Sequence, residues 1–408
     1  MAFETDLLII GAGVAGIATA HAAREAGLTF RLIEAKGRLG GRAWTEDASL
    51  GVPFDQGAHF LHRASQNPFR DLADQIGADY LRGGYPVRMH DERWLTPAEQ
   101  ATHESQFRRV LAAAAAGGET DCGPVMNRWP ADVPHGGIVR GMYEEFLGAG
   151  ADMVTATDHA GYRDTFEDWP MRDGFGALIA RYGAGLPVIL DCPVKEIDTS
   201  GRQVIARTPR GDLRARHVIV TVSTGVLAAG GIRFRPVLPS ATLEALQRLP
   251  MGYAGKIAFR CERGALAQAE PVHAVATLPD GLFANLHVRP FERPIAVAIV
   301  GGPDWEMIER SGTLAMEHTA RAAFVHVFGA DALSPDAPCV TTSWLRDPFT
   351  RGGHSLQTPG SENARLRMSE PVHDRLHFAG EATSQDAWAT VHGAHASARV
   401  VIARLMSV

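Results

Sequence analysis

The sequence predicts an α/β fold, a Rossmann-like dinucleotide-binding domain joined to a substrate domain of mixed β-sheet and helices. Three observations predict it. Residues 6–42, DLLIIGAGVAGIATAHAAREAGLTFRLIEAKGRLGGR, read as a βαβ unit with a glycine-rich turn. β-rich runs return at 187–222 and near the C-terminus, where Leu376-His-Phe-Ala-Gly380-Glu381 precedes a small-residue helix. Between these segments lie a helical stretch broken by Pro and Gly (86–184) and a run of strands (252–300).

In the first unit, the apolar run Asp6 to Ile10 ends in Gly11-Ala-Gly13-Val-Ala-Gly16. Gly11 permits the tight turn, Gly13 lets the backbone approach a pyrophosphate, and Gly16 lets helix and strand pack closely. The helix N-terminus offers free N–H groups and a positive dipole end to phosphates. Glu34, 18 residues after Gly16, is placed to accept hydrogen bonds from a ribose. A lone GxGxxG is a weak signal; here it follows a strand, opens a helix and is answered by an acid. Gly40-Gly41-Arg42 follows, with two glycines for close approach and a guanidinium that can fork onto a phosphate. A nicotinamide unit does not need this second clamp, so the expected cofactor is FAD in an extended form.

The whole chain bounds the answer. At 408 residues it is long enough for two or three domains with ample core. Net charge is −6 and no basic patch with interleaved aromatics occurs, which argues against a nucleic-acid role. Cys122, Cys192, Cys261 and Cys339 lie far apart without a CxxC, which argues against a disulfide framework or a zinc site and fits a reducing compartment. The first strand starts close to Met1, leaving no room for a signal peptide, and no apolar run of about 18 residues spans a membrane. A cytoplasmic protein, with no metal and no membrane partner, is expected. Only Lys36, Lys195 and Lys256 are lysines among 40 basic residues. A lysine here marks a place where arginine would not serve, because lysine can lose its proton when buried.

Residues 1–85, 185–250 and 372–408 are expected to form a discontinuous cofactor domain, and 86–184 and 251–371 the substrate domain. The first segment adds Val52-Pro-Phe-Asp-Gln-Gly57-Ala-His59-Phe-Leu-His62 and a helix near 68–77. The 86–184 insert reads as mostly helical and carries 15 acids against nine arginines. Such an excess draws cations by steering; a solvated helical surface accounts for the same charge. PVILDCPVKEI, RQVIARTP and HVIVTVS read as strands that rejoin the first sheet and form a small meander. KIAFR, HAVATL and IAVAIV are strands of the substrate domain; a helix spans 311–329, and a β-segment begins near Cys339. The last helix runs from about Thr390 to Met406.

Over nearly its whole length the chain resembles the flavin-containing amine oxidases, a family that includes polyamine oxidases, monoamine oxidases and flavin histone demethylases. The resemblance is carried by GAGVAG at 11–16, EAKGRLGGR at 34–42, DQGAHFLH at 55–62 with NPF at 67–69, VKEI at 194–197 and VIVTVSTGVL at 218–227. It continues through RFRPVLP at 233–239, LPMGYAGKIAF at 249–259, WLRDPFTRGGHS at 344–355 and HFAGEATSQDAWATVHGA at 377–394. It implies FAD contacts at Gly11, Gly13, Gly16, Glu34, Arg38, Gly41 and Arg42. Gly57 and Ala58 would leave room for the ring, the Val194 backbone in the VxxI strand would meet adenine, and Gly380-Glu381 would form a second phosphate and ribityl contact. Thr390-Val391 would start the last helix below the flavin, its dipole favouring negative charge there. Some relatives bind flavin covalently through a cysteine just after the turn where Gly353 stands. With no cysteine nearby, the FAD is expected to be non-covalent.

The same resemblance implies the reaction groups. Lys256 aligns with the lysine that holds a water against flavin N5; a surface lysine at a strand start is the alternative. His62 holds the position given to His or Glu near the substrate nitrogen in polyamine oxidases, and a neutral imidazole suits that role. His59 and His62, three apart, would lie on opposite faces if extended, so one of them is expected in the cavity. A structural histidine is the alternative for either. Arg63 stands where the family has a glycine, which puts the loop shape in question. His354 and Thr390 take the places of the two aromatic rings that cage an amine in monoamine oxidases, so no full cage is expected. Trp388 lines the cavity or packs in the core.

The expected activity is oxidation of an amine C–N bond, with hydride passing to flavin, imine hydrolysis, and O2 reduced to H2O2. The amine must be deprotonated, because an ammonium has no lone pair to support hydride departure. GAHFLH and the acidic insert favour a polyamine or other cationic amine. Alternatives are an amino-acid or ring-substrate oxidase or desaturase of the same fold, and a non-catalytic flavin-binding partner protein. A monomer or homodimer is expected.

Overall fold

The computed structural model describes residues 5–118, 121–361 and 363–407. Its first sheet is parallel throughout, in the order Leu376–Phe378, His217–Val220, Leu7–Ile10, Phe30–Ile33, Val188–Ile189. Leu7–Ile10 sits at its centre, each residue fully or almost fully buried, as an apolar run flanked on both faces requires. Helix Val14–Glu25 crosses one face and packs along the last helix, Val391–Met406. Alanines and glycines on both allow the close approach. Thus the two ends of the chain meet in one core with Phe69, Phe175 and Ile179.

A four-stranded sheet, Gly211–Ala215, Val204–Thr208, Glu196–Asp198, Arg233–Arg235, covers the other side. Its inward residues Ile197, Val204, Ala206 and Ala215 join Leu8, Ile10 and Val220 in a second core.

The third sheet has seven strands in the order Cys339–Thr341, Ala254–Arg260, Ile295–Gly301, Phe283–Val288, Val272–Thr277, Val87–Asp91, Arg93–Trp94. All pairs are antiparallel except Val272–Thr277 with Val87–Asp91. The period of two along a strand separates its faces. Ile257, Phe259, Ala274, Ala284, Leu286 and Ala298 point into a core roofed by Trp305 and Phe324 of helices Gly302–Ser311 and Thr313–Phe328. Lys256, His273, Asn285 and His287 fall on the opposite face. Helix Gly137–Leu147 lies across that polar face.

The observed fold is the expected α/β class. The 86–184 insert departs from its helical reading, since it opens with Val87–Asp91, paired into the third sheet. That strand, VRMHD, has two adjacent buried residues between exposed ones rather than strict alternation, so periodicity hides it. Strand Phe283–Val288 was not expected either; FANLHV mixes polar residues into the polar face. Among the described residues no helix is long and apolar enough to cross a membrane.

Candidate active site

The glycine-rich turn is as tight as its sequence requires. A Cβ on Gly16 would lie 1.8 Å from the Gly11 carbonyl oxygen. Gly41, at φ +60°, brings the second turn against the first, and its Cβ would lie 3.1 Å from Gly13 Cα. Helix Val14–Glu25 starts at Gly13 with no side-chain cap and no acid in its first turn, which suits an anion there. Arg38 stacks 4.1 Å from the Trp44 ring, and its buried Nη2 has no partner among the described residues. Nothing lies within 4 Å of where a Gly380 Cβ would stand. An unsatisfied buried guanidinium nitrogen, a bare helix N-terminus and open space at Gly380 fit an extended dinucleotide phosphate chain.

Glu34, Glu381, Gly57 and Ala58 each also make contacts within the chain. Glu34 accepts from the Ala12 N–H (2.6 Å) and the Lys36 N–H (2.8 Å), so its carboxylate braces the glycine turn. Glu381 accepts from Arg42 Nη1 (3.0 Å), Ser355 N–H (3.0 Å), Ser355 Oγ (2.7 Å) and Ala389 N–H (3.0 Å). Arg42 and Arg365 hold this buried carboxyl down at about 2, against the rise burial alone would cause. Its side chain therefore clamps three segments of the chain together. The space a Gly57 Cβ would need is filled by the Arg42 carbonyl oxygen, at 1.7 Å, and the Trp344 ring. Gly57 thus lets two strands of chain touch, and Ala58 closes the turn by donating its N–H to the Arg42 carbonyl.

Lys256 is buried, and its Nζ donates to the carbonyls of Asp55 (2.9 Å) and Gly57 (2.6 Å). The Asp55 carboxyl does not pair with it directly. It accepts from Thr45 Oγ1 (2.5 Å) and from the N–H groups of Phe175 (2.9 Å) and Gly176 (3.0 Å), at the start of helix Phe175–Tyr182. That anchor sets the two carbonyls for the lysine. Burial pushes Lys256 down to about 7, with Asp55 and Glu145 opposing.

His62 Nδ1 bonds the Asp168 carboxylate at 2.6 Å. The contact follows from the short antiparallel pair Phe60–Leu61 with Trp169–Pro170, which places residue 62 beside residue 168. The side chains are 41% and 38% accessible though surrounded by protein, as in a cavity wall. Burial acts to lower the His62 pKa, but Asp168 outweighs it and the net shift is upward. A proton is thus favoured on His62, which weakens the reading of a neutral imidazole accepting from an ammonium. Arg63 adopts the left-handed conformation (φ 52°) that glycine takes without strain. His59 stands 5.6 Å from His287, ring centre to ring centre, and its Nε2 is buried without a partner among the described residues. Burial, Lys256 and His287 hold it well below 6.5. His59 and His62 thus each lie beside polar groups of the interior.

His354 packs against Gly148, whose Cβ would be 3.1 Å from its Nε2, and lies near Glu381 and Arg42. Burial lowers its pKa. Thr390 caps the last helix: its Oγ1 accepts from Gly393 N–H (3.0 Å) and donates to the Ala387 carbonyl (2.7 Å). That hydroxyl is committed, and Val391 begins the helix packed on the first core. Trp388 is fully buried and donates from Nε1 to the Asp158 carbonyl (3.0 Å), so it packs rather than lines. Val194 precedes strand Glu196–Asp198 instead of lying in it.

Asp168 and Glu145 escaped the sequence reading. Both lie in the acidic insert, and which of its 15 acids face inward depends on non-local pairing. Glu145, in the last turn of helix Gly137–Leu147, is raised by burial to about 7, with His62 and Lys256 opposing. Its partner signal, Gly301 across from it, has no local motif.

Comparison with known proteins agrees with this arrangement. A family model for flavin-containing amine oxidoreductase matches residues 126–405, and one for an NAD(P)-binding Rossmann-like domain matches 9–76. Lysine-specific histone demethylase 2 of Homo sapiens is 24% identical over 440 residues, covering 96% of this chain but 52% of that protein. The chain thus spans about half the length of that relative. Probable polyamine oxidase 4 of Arabidopsis thaliana is 27% identical over 431 residues, covering 96% of this chain and 85% of that protein. Among solved structures, cyclohexylamine oxidase from Brevibacterium oxydans IH-35A superposes with a TM-score of 0.80 at 23% identity, covering 99% of this chain and 100% of that one. Wild-type putrescine oxidase bound to putrescine gives 0.81 at 18% identity, covering 99% of each. At these identities the structural likeness speaks for the fold. The family match extends over more than half of the chain, and the chain belongs to the flavin-containing amine oxidoreductase family.

Proposed function

We propose that the chain is an FAD-dependent amine oxidase that converts a cationic amine, taken up and then deprotonated, to an imine and so to an aldehyde, with O2 as the electron acceptor and H2O2 as product. FAD supplies the acceptor for the hydride leaving the amine α-carbon. The observation that carries the reading is Lys256, a buried lysine near neutrality held by the Asp55 and Gly57 carbonyls. It lies on the sheet face shared with His287 and within reach of the charge of Glu145. A base poised near neutral pH can pass a proton in either direction. Arg38, Arg42 and the first helix N-terminus would hold the phosphates. Non-covalent FAD is supported by the cysteines: Cys192 and Cys261 are buried in separate cores, and none neighbours Gly353. Segments 1–85, 185–250 and 372–408 would form the cofactor domain, and the rest the substrate domain.

The names of the polyamine, putrescine and cyclohexylamine oxidases support an amine substrate. Anaerobic mixing of the FAD-loaded protein with an amine panel tests this. At least one amine is expected to bleach the flavin and, in air, to yield H2O2. Bound FAD that no amine bleaches would overturn the assignment.

A further inference from the structure

Glu145 has no part in the proposed reaction so far, yet the fold makes room for it beside Lys256. A Cβ on Gly301 would come within 2.9 Å of Glu145 Cα and 3.3 Å of its Cγ. Gly301 pairs with Ala254, two residues before Lys256 on the same face of the strand. Glu145 therefore lies over the strand paired with the lysine's own, at a level about 7 Å from Lys256 at ~3.3 Å per residue. No hydrogen-bond partner for its carboxyl occurs among the described residues, whereas its neighbour Glu144 is tied to Arg140 at 3.0 Å.

The other carboxylate of this cavity, Asp168, is already answered by His62. The remaining wall is imidazole and amide. His273 stacks on His287 at 4.2 Å and bonds Asn285 at 2.6 Å. His287 is 7% exposed, and its Nε2 has no partner among the described residues. Burial holds His59, His273 and His287 in their neutral forms at neutral pH. A second ammonium placed against this wall would lose hydration and find no counter-charge.

Resting on the amine-oxidase reading, we propose that Glu145 receives the substrate ammonium and takes its proton, and that the cavity is built for one ammonium with the rest of the substrate uncharged. In that step an N–H bond breaks at the substrate nitrogen and an O–H bond forms on the Glu145 carboxylate. The nitrogen keeps the electron pair, which then supports departure of hydride from the adjacent carbon. Glu145, raised by burial to about 7, is suited to accept a proton near neutral pH. The charged groups acting on it are Lys256 from the neighbouring strand and His62 and Asp168 beside the short pair; His273 and His287 stand on the same sheet face. Strand Ile295–Gly301 contributes none. Asp304, at the start of the next helix, acts on Glu144 instead.

Anaerobic flavin reduction in the holoenzyme tests this, with putrescine and an aminobutanol of the same chain length as probes. Near neutral pH the aminobutanol is expected to be about tenfold or more the better reductant in kred/Kd. Glu145→Gln is expected to slow the aminobutanol about tenfold near neutral pH and to recover most of the rate near pH 10, where the amine arrives already neutral. Putrescine equal or better, or a Glu145→Gln pH profile like the wild type, overturns the proposal. A loss that persists near pH 10 with FAD still bound does so too, marking Glu145 as structural. Bleaching by neither these two nor any other amine of the panel, with FAD bound, removes the amine-oxidase reading itself; a preference for putrescine removes only this step beyond it.

Discussion

Replacing Lys256 by methionine isolates the consequence of burying that amine. Its pKa falls from 10.5 to about 7, chiefly by loss of hydration. Between those values the unfolded chain holds a proton that the folded chain has released. The wild type therefore gains stability as pH rises through this window, at 1.36 kcal/mol per unit once the folded group is fully deprotonated. From about pH 7 to about pH 9 the gain integrates to about 2 kcal/mol, because Lys256 is half-protonated at the lower end. Methionine carries no proton in either state, and other titrating groups cancel in the difference between the proteins. Near neutral pH the substitution removes the penalty but leaves the Asp55 and Gly57 carbonyls without their donor, about 1–3 kcal/mol each. The two effects oppose one another, so the absolute change is the weaker test and its slope with pH the stronger. Urea unfolding of FAD-loaded wild type and Lys256→Met across that range should show the wild-type advantage growing by about 2 kcal/mol. A difference constant with pH would refute the reasoning, because Lys256 would then titrate as a solvated amine.

Arg365 and Asp158 form a two-pronged ion pair (2.6 and 2.7 Å), with side chains 3% and 2% exposed. Arg365→Leu strands the Asp158 charge and should destabilise by about 3–5 kcal/mol in urea unfolding. Because Arg365 also donates to Ser355 Oγ (2.7 Å), which donates to Glu381, the variant should release FAD more readily as well. A cost under about 1 kcal/mol would show the pair to be better solvated than it is here. Asp168→Asn removes the charge that raises His62, so the imidazole should titrate lower, as followed by NMR. A raised folded pKa contributes stability fully present below about pH 6.5 and lost as pH rises through the folded value. The deficit of the Asn variant should accordingly be largest in acid; a deficit independent of pH would exclude the ion pair as its source.

The parts legible in the sequence are those with a local cause. The first βαβ unit, the last helix and its Thr390 cap are set by residues within a few positions of one another. Lys256 stood out because lysine is scarce, and the alternation KIAFR put it on a strand. What local pattern could not convey is the use of each side chain once the segments meet. Arg42, expected at a phosphate, also braces Glu381 and the Gly353 carbonyl (2.8 Å), two segments more than 300 residues away in sequence. Trp388 could line or pack, and only the Asp158 carbonyl beneath its indole decides for packing. Strand Phe283–Val288 was missed because its Asn285 and His287 line the interior polar face, where alternation carries no apolar signal.

The acidic insert shows why segment charge is a poor guide to a site. Its balance of −6 suggested either a field for cations or a solvated surface. Five of its acids are paired with arginines: Glu99 with Arg93, Asp132 with Arg109, Asp121 with Arg128, Glu144 with Arg140, and Asp158 with Arg365 from outside the insert. The exposed pairs among these are screened and steer little. Two acids of the insert remain in the interior with Lys256, and one of those is matched by His62. Within the insert, the charge that acts on Lys256 is therefore the single carboxyl of Glu145. Selectivity for a cation should consequently resist salt, since a buried charge is poorly screened, whereas a steering field from the insert would fade as ionic strength rises. Flavin reduction measured at low and high salt separates the two: a rate that holds near its value supports the buried carboxyl, and a steep fall would return the role to the surface.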